Sequence, residues 1–225
     1  MERTSSAHRT ETRALPIDVD DGWSLPDADA DADADTDARA PVPLIVPGWR
    51  DSGPGHWQSL WADRIPRALR VQQDDWTHPT REAWVRAIAA AVLAAPAPVV
   101  IVAHSLGCIA AVHLPRDAAE RIHAALLVAP ADPERRAALH DFAPVPHERL
   151  PYRSIVVASS DDPFCPARLA GAYAGSWGSE FLRLQRAGHI NVESGHGEWP
   201  LGFVLLQSLL THRPASSYDI ATQIP

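Results

Sequence analysis

The chain has 225 residues, 46% of them hydrophobic, and a formal charge of −8 at pH 7, which leaves room for one ordinary domain with a substantial core. All 20 basic residues are arginine, which excludes a lysine Schiff base, a phosphate-loop lysine and a Ser–Lys dyad. The two cysteines, Cys108 and Cys165, make neither a disulfide framework nor a zinc-type spacing.

Residues 1–40 carry 11 acids and 4 arginines, and Asp27 to Asp37 alternates Asp with small residues. Such a segment has almost nothing to bury and repels itself, so it is expected to be a disordered acidic tail. It reads as a solvated leader rather than an interaction tail, and its deletion is expected to leave stability and turnover unchanged. The remaining chain is nearly neutral and offers no basic face for nucleic acid. No apolar run reaches the length of about 20 residues that spans a bilayer, and the N-terminus has no apolar leader. The expected compartment is the cytoplasm.

From residue 41 to 212 short apolar runs alternate with helical patterns. The strand candidates are Pro43–Pro47, Leu69–Gln72, Val99–Ala103, Ala124–Ala129, Ser154–Ala158 and Phe181–Leu184. Several are apolar on both faces, as parallel strands covered by helices on each side must be. Between them lie helix candidates His56–Arg67, Arg81–Ala95, Leu106–His113, Ala167–Trp177 and Pro200–His212. This alternation predicts an α/β domain with a doubly wound, mostly parallel six-stranded sheet, followed by a flexible tail at 213–225.

One junction carries a chemical signal. The strand Val99–Ala103 runs directly through His104-Ser105-Leu106-Gly107 into a helix of small residues. That is the context of a nucleophile elbow, whose usual form is G-x-S-x-G and whose tight turn demands small residues on either side of the serine. Ala103 replaces the first glycine at the cost of one methyl group. The elbow makes Ser105 the candidate nucleophile and the Leu106 N–H an oxyanion donor. The loop after the first strand, Pro47-Gly48-Trp49, supplies the second donor, the Trp49 N–H, with Gly48 allowing close approach.

In the α/β-hydrolase fold the partners follow in the order serine, acid, histidine. His189, in Gly188-His189-Ile190-Asn191 after the last strand candidate, is the expected base, with His196 the runner-up. The acid belongs on the loop after the penultimate strand, where Asp161 and Asp162 compete. Asp162 opens an Asp-Pro-x-x-Pro segment and is preferred, Asp161 reads as a turn cap, and Asp132 ranks third. His104 is expected to point away from Ser105 across the turn. Gly48, His56, Trp57 and His104 are candidate pocket residues. Trp49 and Trp57 are placed either to wall an acyl pocket or to pack the core, whereas Trp61 and Trp84 are expected in the core. Cys108, one helical turn beneath Ser105, reads as a small buried hydrophobe.

The motifs Ile45-Val-Pro-Gly-Trp49, His56-Trp57-Gln58, Asp75-Trp76, His104-Ser105-Leu106-Gly107, Asp161-Asp162-Pro163 and Gly188-His189-Ile190-Asn191 together resemble the retinoblastoma-binding-protein-9-type serine hydrolases. The resemblance covers about residues 41–212 and implies a compact α/β-hydrolase without a cap domain, acting on esters or amides. The interval from Pro130 to Arg153 has room for a short helix and a loop but not for a cap. The family's pocket-protein motif is not inherited, because Leu106-Gly-Cys108-Ile-Ala110 lacks its glutamate. The expected function is hydrolysis of small carboxylic esters through an acyl-enzyme. The alternatives are an amidase or aminopeptidase-like hydrolase on the same residues, and a catalytically idle binding module. No metal or organic cofactor is implied, the expected partner is a small ester or amide, and no feature specifies an oligomeric state.

Overall fold

The structure is a computed structural model that describes residues 40–211. The expected tail at 213–225, His212 and all but the last residue of the acidic segment 1–40 lie outside the described residues.

The elements run in chain order β1 (Val42–Val46), α1 (Trp57–Arg64), β2 (Leu69–Arg70), α2 (Arg81–Ala94), β3 (Val99–His104), α3 (Leu106–Val112), α4 (Arg116–Ala119), β4 (Ile122–Val128), β5 (Arg153–Ser159), α5 (Ala167–Trp177), β6 (Glu180–Leu184) and α6 (Pro200–Leu210). The six strands form one sheet in the order β2-β1-β3-β4-β5-β6, and every pairing is parallel. The doubly wound α/β-hydrolase sheet read from the sequence is the fold observed.

The strand sequences explain their places. Every residue of β1 and β3 is buried, because helices cover both faces of these central strands. Leu44, Val46, Ile101 and Ala103 face one core with Trp84, Ile88 and Val92 of α2 and most of α3. Ile45, Val100 and Val102 face the other, with Trp57 and Trp61 of α1 and Phe203, Leu206 and Leu209 of α6. In the edge strand β6 only Leu182 and Leu184 are partly buried, and β2 has only two residues.

Helix ends follow local chemistry. Thr80 caps α2 by accepting from the Ala83 N–H, and α5 stops at Gly178, whose φ of 69° is the left-handed conformation glycine tolerates. The first helix starts one residue later than expected because His56 is its N-cap, its ring accepting from the Gln58 N–H. The short helix α4, opened by Pro115, was not anticipated, since four residues are too few to show a period. Between β4 and β5 stand two 3-10 turns, Pro133–Arg135 and Ala137–Phe142, and no cap domain. Among the described residues no helix is long and apolar enough to cross a membrane.

The chain leaves β1 for the sheet edge at β2 and crosses back to β3, so the strand order reverses between β1 and β3. In open α/β sheets ligands bind beyond the carboxyl ends of the strands at such a switch. Val46 and Ala103 are register partners there, which sets the loop at Gly48 beside the turn at Ser105.

Candidate active site

Ser105 joins β3 to α3 with φ 54° and ψ −121°, a conformation that costs a non-glycine residue about 1–3 kcal/mol. Backbone hydrogen bonds hold it: its N–H donates to Val128 O at 3.0 Å, and its carbonyl accepts from Cys108 and Ala131 at 3.1 and 3.3 Å. The turn requires glycine at 107, where a Cβ would meet the carbonyl oxygens of Val46 and Pro47 at 2.5 and 2.6 Å. Leu106 is the first residue of α3, so its N–H has no acceptor within the helix.

Gly48 is fixed by the same closeness. A Cβ there would lie 2.8 Å from Ser105 Cβ and 3.0 Å from His104 O. The loop it opens carries Trp49, whose indole donates to Thr77 O at 2.9 Å. Gln58, fully buried, ties this loop to the strands: its amide donates to Val46 O at 3.1 Å and Val102 O at 2.9 Å, while its oxygen accepts from Ser52 Oγ at 2.6 Å. Gln58 stands in the His56-Trp57-Gln58 motif, but its sequence context assigns it no role, since a glutamine inside a helix does not show what it will bond.

His189 Nε2 lies 3.0 Å from Ser105 Oγ, and its Nδ1 lies 2.9 and 3.1 Å from Asp162 Oδ2 and Oδ1. A carboxylate accepts only, so Nδ1 carries the proton and Nε2 is left free to accept from the serine hydroxyl. The Asp162 side chain is 2% exposed and also accepts from the Phe164 N–H at 2.8 Å. Asp161 points elsewhere. It accepts from Ser159 Oγ at 2.7 Å and from the Gly188 N–H at 2.9 Å, and these bonds, the Ser159 one foremost, hold its carboxyl below the usual range. The structure thus brings Asp162 to the histidine and leaves Asp161 to pin the loop that presents it.

That loop is held from several sides. Gly188 has φ 56°, and a Cβ on it would meet Ser194 Cβ at 2.5 Å. Asn191 and Ser194 cap each other reciprocally. The Trp57 indole donates to Ile190 O at 2.9 Å, and His104 Nε2 donates to His189 O at 2.9 Å.

Two expectations are corrected here. His104 does not point away from the site: its ring lies 4.7 Å from that of His189 and 4.9 Å from that of His56, and it lines the cavity above Ser105. Trp57 does not line the cavity; it is fully buried in the core beneath it, since its ring packs on Trp61 and Trp199 and its one donor is used on Ile190. Gly48, Trp49 and His56 do line it. Trp61 and Trp84 pack the two cores as expected. His196 meets Ser194 Oγ at 3.3 Å and lies outside the Ser105–His189–Asp162 chain of hydrogen bonds. Asp132 lines the cavity wall, where it accepts from the Glu134 N–H at 3.1 Å and lies 3.6 Å from Arg135. Cys108 is buried, and desolvation pushes its thiol far up, out of reach of a thiolate at neutral pH.

The cavity has a volume of about 330 Å³. Phe164, whose ring lies 4.5 Å from that of His189, and Arg136, whose guanidinium sits 4.9 Å over Phe164, complete its far wall. Neither was singled out from the sequence, although Phe164 stands two residues past the acid. His56 and His104 are neutral at pH 7. Burial, followed by repulsion from His189, lowers His56 to about 4 and holds His104 well below the free-histidine value.

The family model described as serine hydrolase matches residues 43–208. The chain is 34% identical to a YdeN-like hydrolase from Pectobacterium atrosepticum, over 76% of this chain and 91% of that one, with a TM-score of 0.69. The ydeN gene product of B. subtilis (20% identity, 76% and 100% covered, TM-score 0.64) and Thermogutta terrifontis esterase 2 phosphorylated by paraoxon (14%, 76% and 82%, 0.59) share the fold. No curated protein matches the chain. A domain-long family match and a relative one-third identical over nearly its whole length place this chain in the serine hydrolase family, on an α/β-hydrolase fold.

Proposed function

We propose that the protein hydrolyses small carboxylic esters through an acyl-enzyme on Ser105, and that within its family it belongs to the retinoblastoma-binding-protein-9-type group its motifs resemble. The observation that carries this reading is the continuous hydrogen-bonded chain from Ser105 through His189 to Asp162, opening into a cavity. His189 takes the Ser105 proton as the oxygen attacks the ester carbonyl, and Asp162 stabilises the imidazolium that forms. The developing oxyanion is met by the N–H groups of Leu106 and Trp49. Collapse of the intermediate breaks the ester C–O bond, and His189 returns its proton to the departing alcohol. Water then repeats the sequence on the acyl-enzyme and frees the acid.

An idle binding module has no use for a strained serine aligned with an oriented base, and that alignment favours the enzyme reading over it. A cavity of about 330 Å³ is at the small end for ligand sites, which suits a short ester. The relative from Thermogutta is named as an esterase phosphorylated by paraoxon, so an organophosphorus probe is a natural test. A fluorophosphonate is expected to label the full chain at Ser105 and to block hydrolysis of p-nitrophenyl acetate. Absence of labelling, or a label mapped to another residue, overturns the assignment.

A further inference from the structure

We propose that the cavity over Ser105 selects esters bearing a second, anionic group, such as monoesters of short dicarboxylic acids, with Arg50 and Arg136 receiving the free carboxylate. This rests on the ester reading above and names its substrate class.

The two arginines come from distant parts of the chain and meet in one cavity: Arg50 on the loop after β1, Arg136 between the two 3-10 turns. Neither has a carboxylate partner among the described residues. Each instead lies over an aromatic ring of the same cavity, Arg50 at 4.5 Å from Trp49 and Arg136 at 4.9 Å from Phe164. Stacking aims a guanidinium without neutralising it, so its fork of N–H donors remains open to a carboxylate. Arg50 and Asp51 both take φ near 70° although neither is glycine, so the loop after β1 is strained where Arg50 stands.

The acids of the cavity are largely spent. Asp51 binds Arg70 at 2.7 Å and Asp132 lies 3.6 Å from Arg135. Glu193, exposed on the wall, is the one lining acid without a partner among the described residues, so two open cations face one open anion. Beside the cavity, His56 carries a buried donor. His56 Nδ1 accepts from the Gln58 N–H, which puts the ring proton on Nε2, and that nitrogen is buried with no partner.

The test compares methyl butyrate with monomethyl succinate, matched in acyl length and differing by one carboxylate, with hydrolysis followed by pH-stat on the full chain. The succinate is expected to have the higher kcat/KM at low salt, by about fivefold, an advantage that shrinks near 1 M salt, where the Debye length is about 3 Å. Arg50→Gln and Arg136→Gln should each lower the succinate-to-butyrate ratio about threefold to fivefold, and Glu193→Gln should raise it. A ratio at or below one that the arginine variants leave unmoved overturns the proposal. Hydrolysis of p-nitrophenyl acetate without a preference for the succinate overturns this proposal alone, whereas failure of both labelling and hydrolysis removes the ester reading with it.

Discussion

His104 Nε2–H donates to the backbone carbonyl of His189 at 2.9 Å, so the residue before Ser105 holds the loop that carries His189, 85 positions along the chain. The two ends of the proposed proton transfer are therefore tied together by a buried bond rather than by the sheet alone. His104→Phe keeps the bulk, removes the donor and leaves the His189 carbonyl unpaired. Misplacement of a catalytic group by about 1 Å costs on the order of 100-fold, so kcat should fall about tenfold to 100-fold with KM changed by less than about threefold. Steady-state kinetics with p-nitrophenyl acetate checks this, and a rise in KM at constant kcat would assign His104 to substrate binding instead.

Asp161 and Asp162 are separated by the same kinetics. In Asp162→Asn an amide replaces the acceptor facing His189 Nδ1 and favours the wrong tautomer, so kcat should drop on the order of 10³-fold to 10⁴-fold. Asp161→Asn retains an oxygen for Ser159 and Gly188, and should cost less than about tenfold. The reverse ranking would move the acid to Asp161.

Gly107→Ala should destabilise the fold as well as the site. Its Cβ would press on two main-chain carbonyls of the β1 end, atoms that no rotamer change can move aside. A cost of about 3 kcal/mol, the upper end for overpacking, corresponds to a fall in Tm of roughly 6–12 °C for a domain of this size. Calorimetry at neutral pH measures it, and an unchanged Tm would show that the elbow is looser than these distances imply.

Acid stability should report the two neutral histidines. An unfolded histidine binds a proton near pH 6.5, whereas folded His56 stays neutral down to about 4 and His104 remains neutral well below 6.5. Below pH 6.5 the unfolded chain therefore binds more protons. The stability conferred by the neutral rings is fully present above about pH 6.5 and is lost as the pH falls toward 4. For His56 the loss is on the order of 3 kcal/mol. His56→Asn should flatten the fall of Tm between pH 6.5 and 4.5, and an identical slope in the variant would remove His56 as its source.

The size of the cavity bears on acyl length. About 330 Å³ accommodates a small ligand, so methylenes beyond the first few remain in water and gain little of the roughly 0.8 kcal/mol that full burial yields. Among p-nitrophenyl esters measured below micelle formation, kcat/KM should peak at about two to six acyl carbons. A steep optimum at about twelve would point to a channel deeper than this cavity.

The sheet and the turn at Ser105 were legible in the residues because both are local patterns. Continuous apolar runs such as Val99–Val102 mark a strand covered on both faces, and a strand running through His104-Ser105-Leu106-Gly107 into small residues leaves one way to turn. The place of His189 followed from chain order in the fold. What the sequence left open concerned direction and long-range pairing. Asp161 and Asp162 are adjacent and alike, and only the approach of Gly188 to one and of the imidazole to the other gives them different work. Trp57 looked as fit to wall a pocket as Trp49, yet its indole reaches Ile190, 133 positions away, and draws the ring into the core. His104 keeps the alternation of β3, on the face of Val100 and Val102 beside Trp57, and only the fold brings the rings of His56 and His189 to it. The open charges of Arg50 and Arg136 emerge only when Asp51 and Asp132 are seen bound to other arginines, a competition among side chains that no local window of sequence contains.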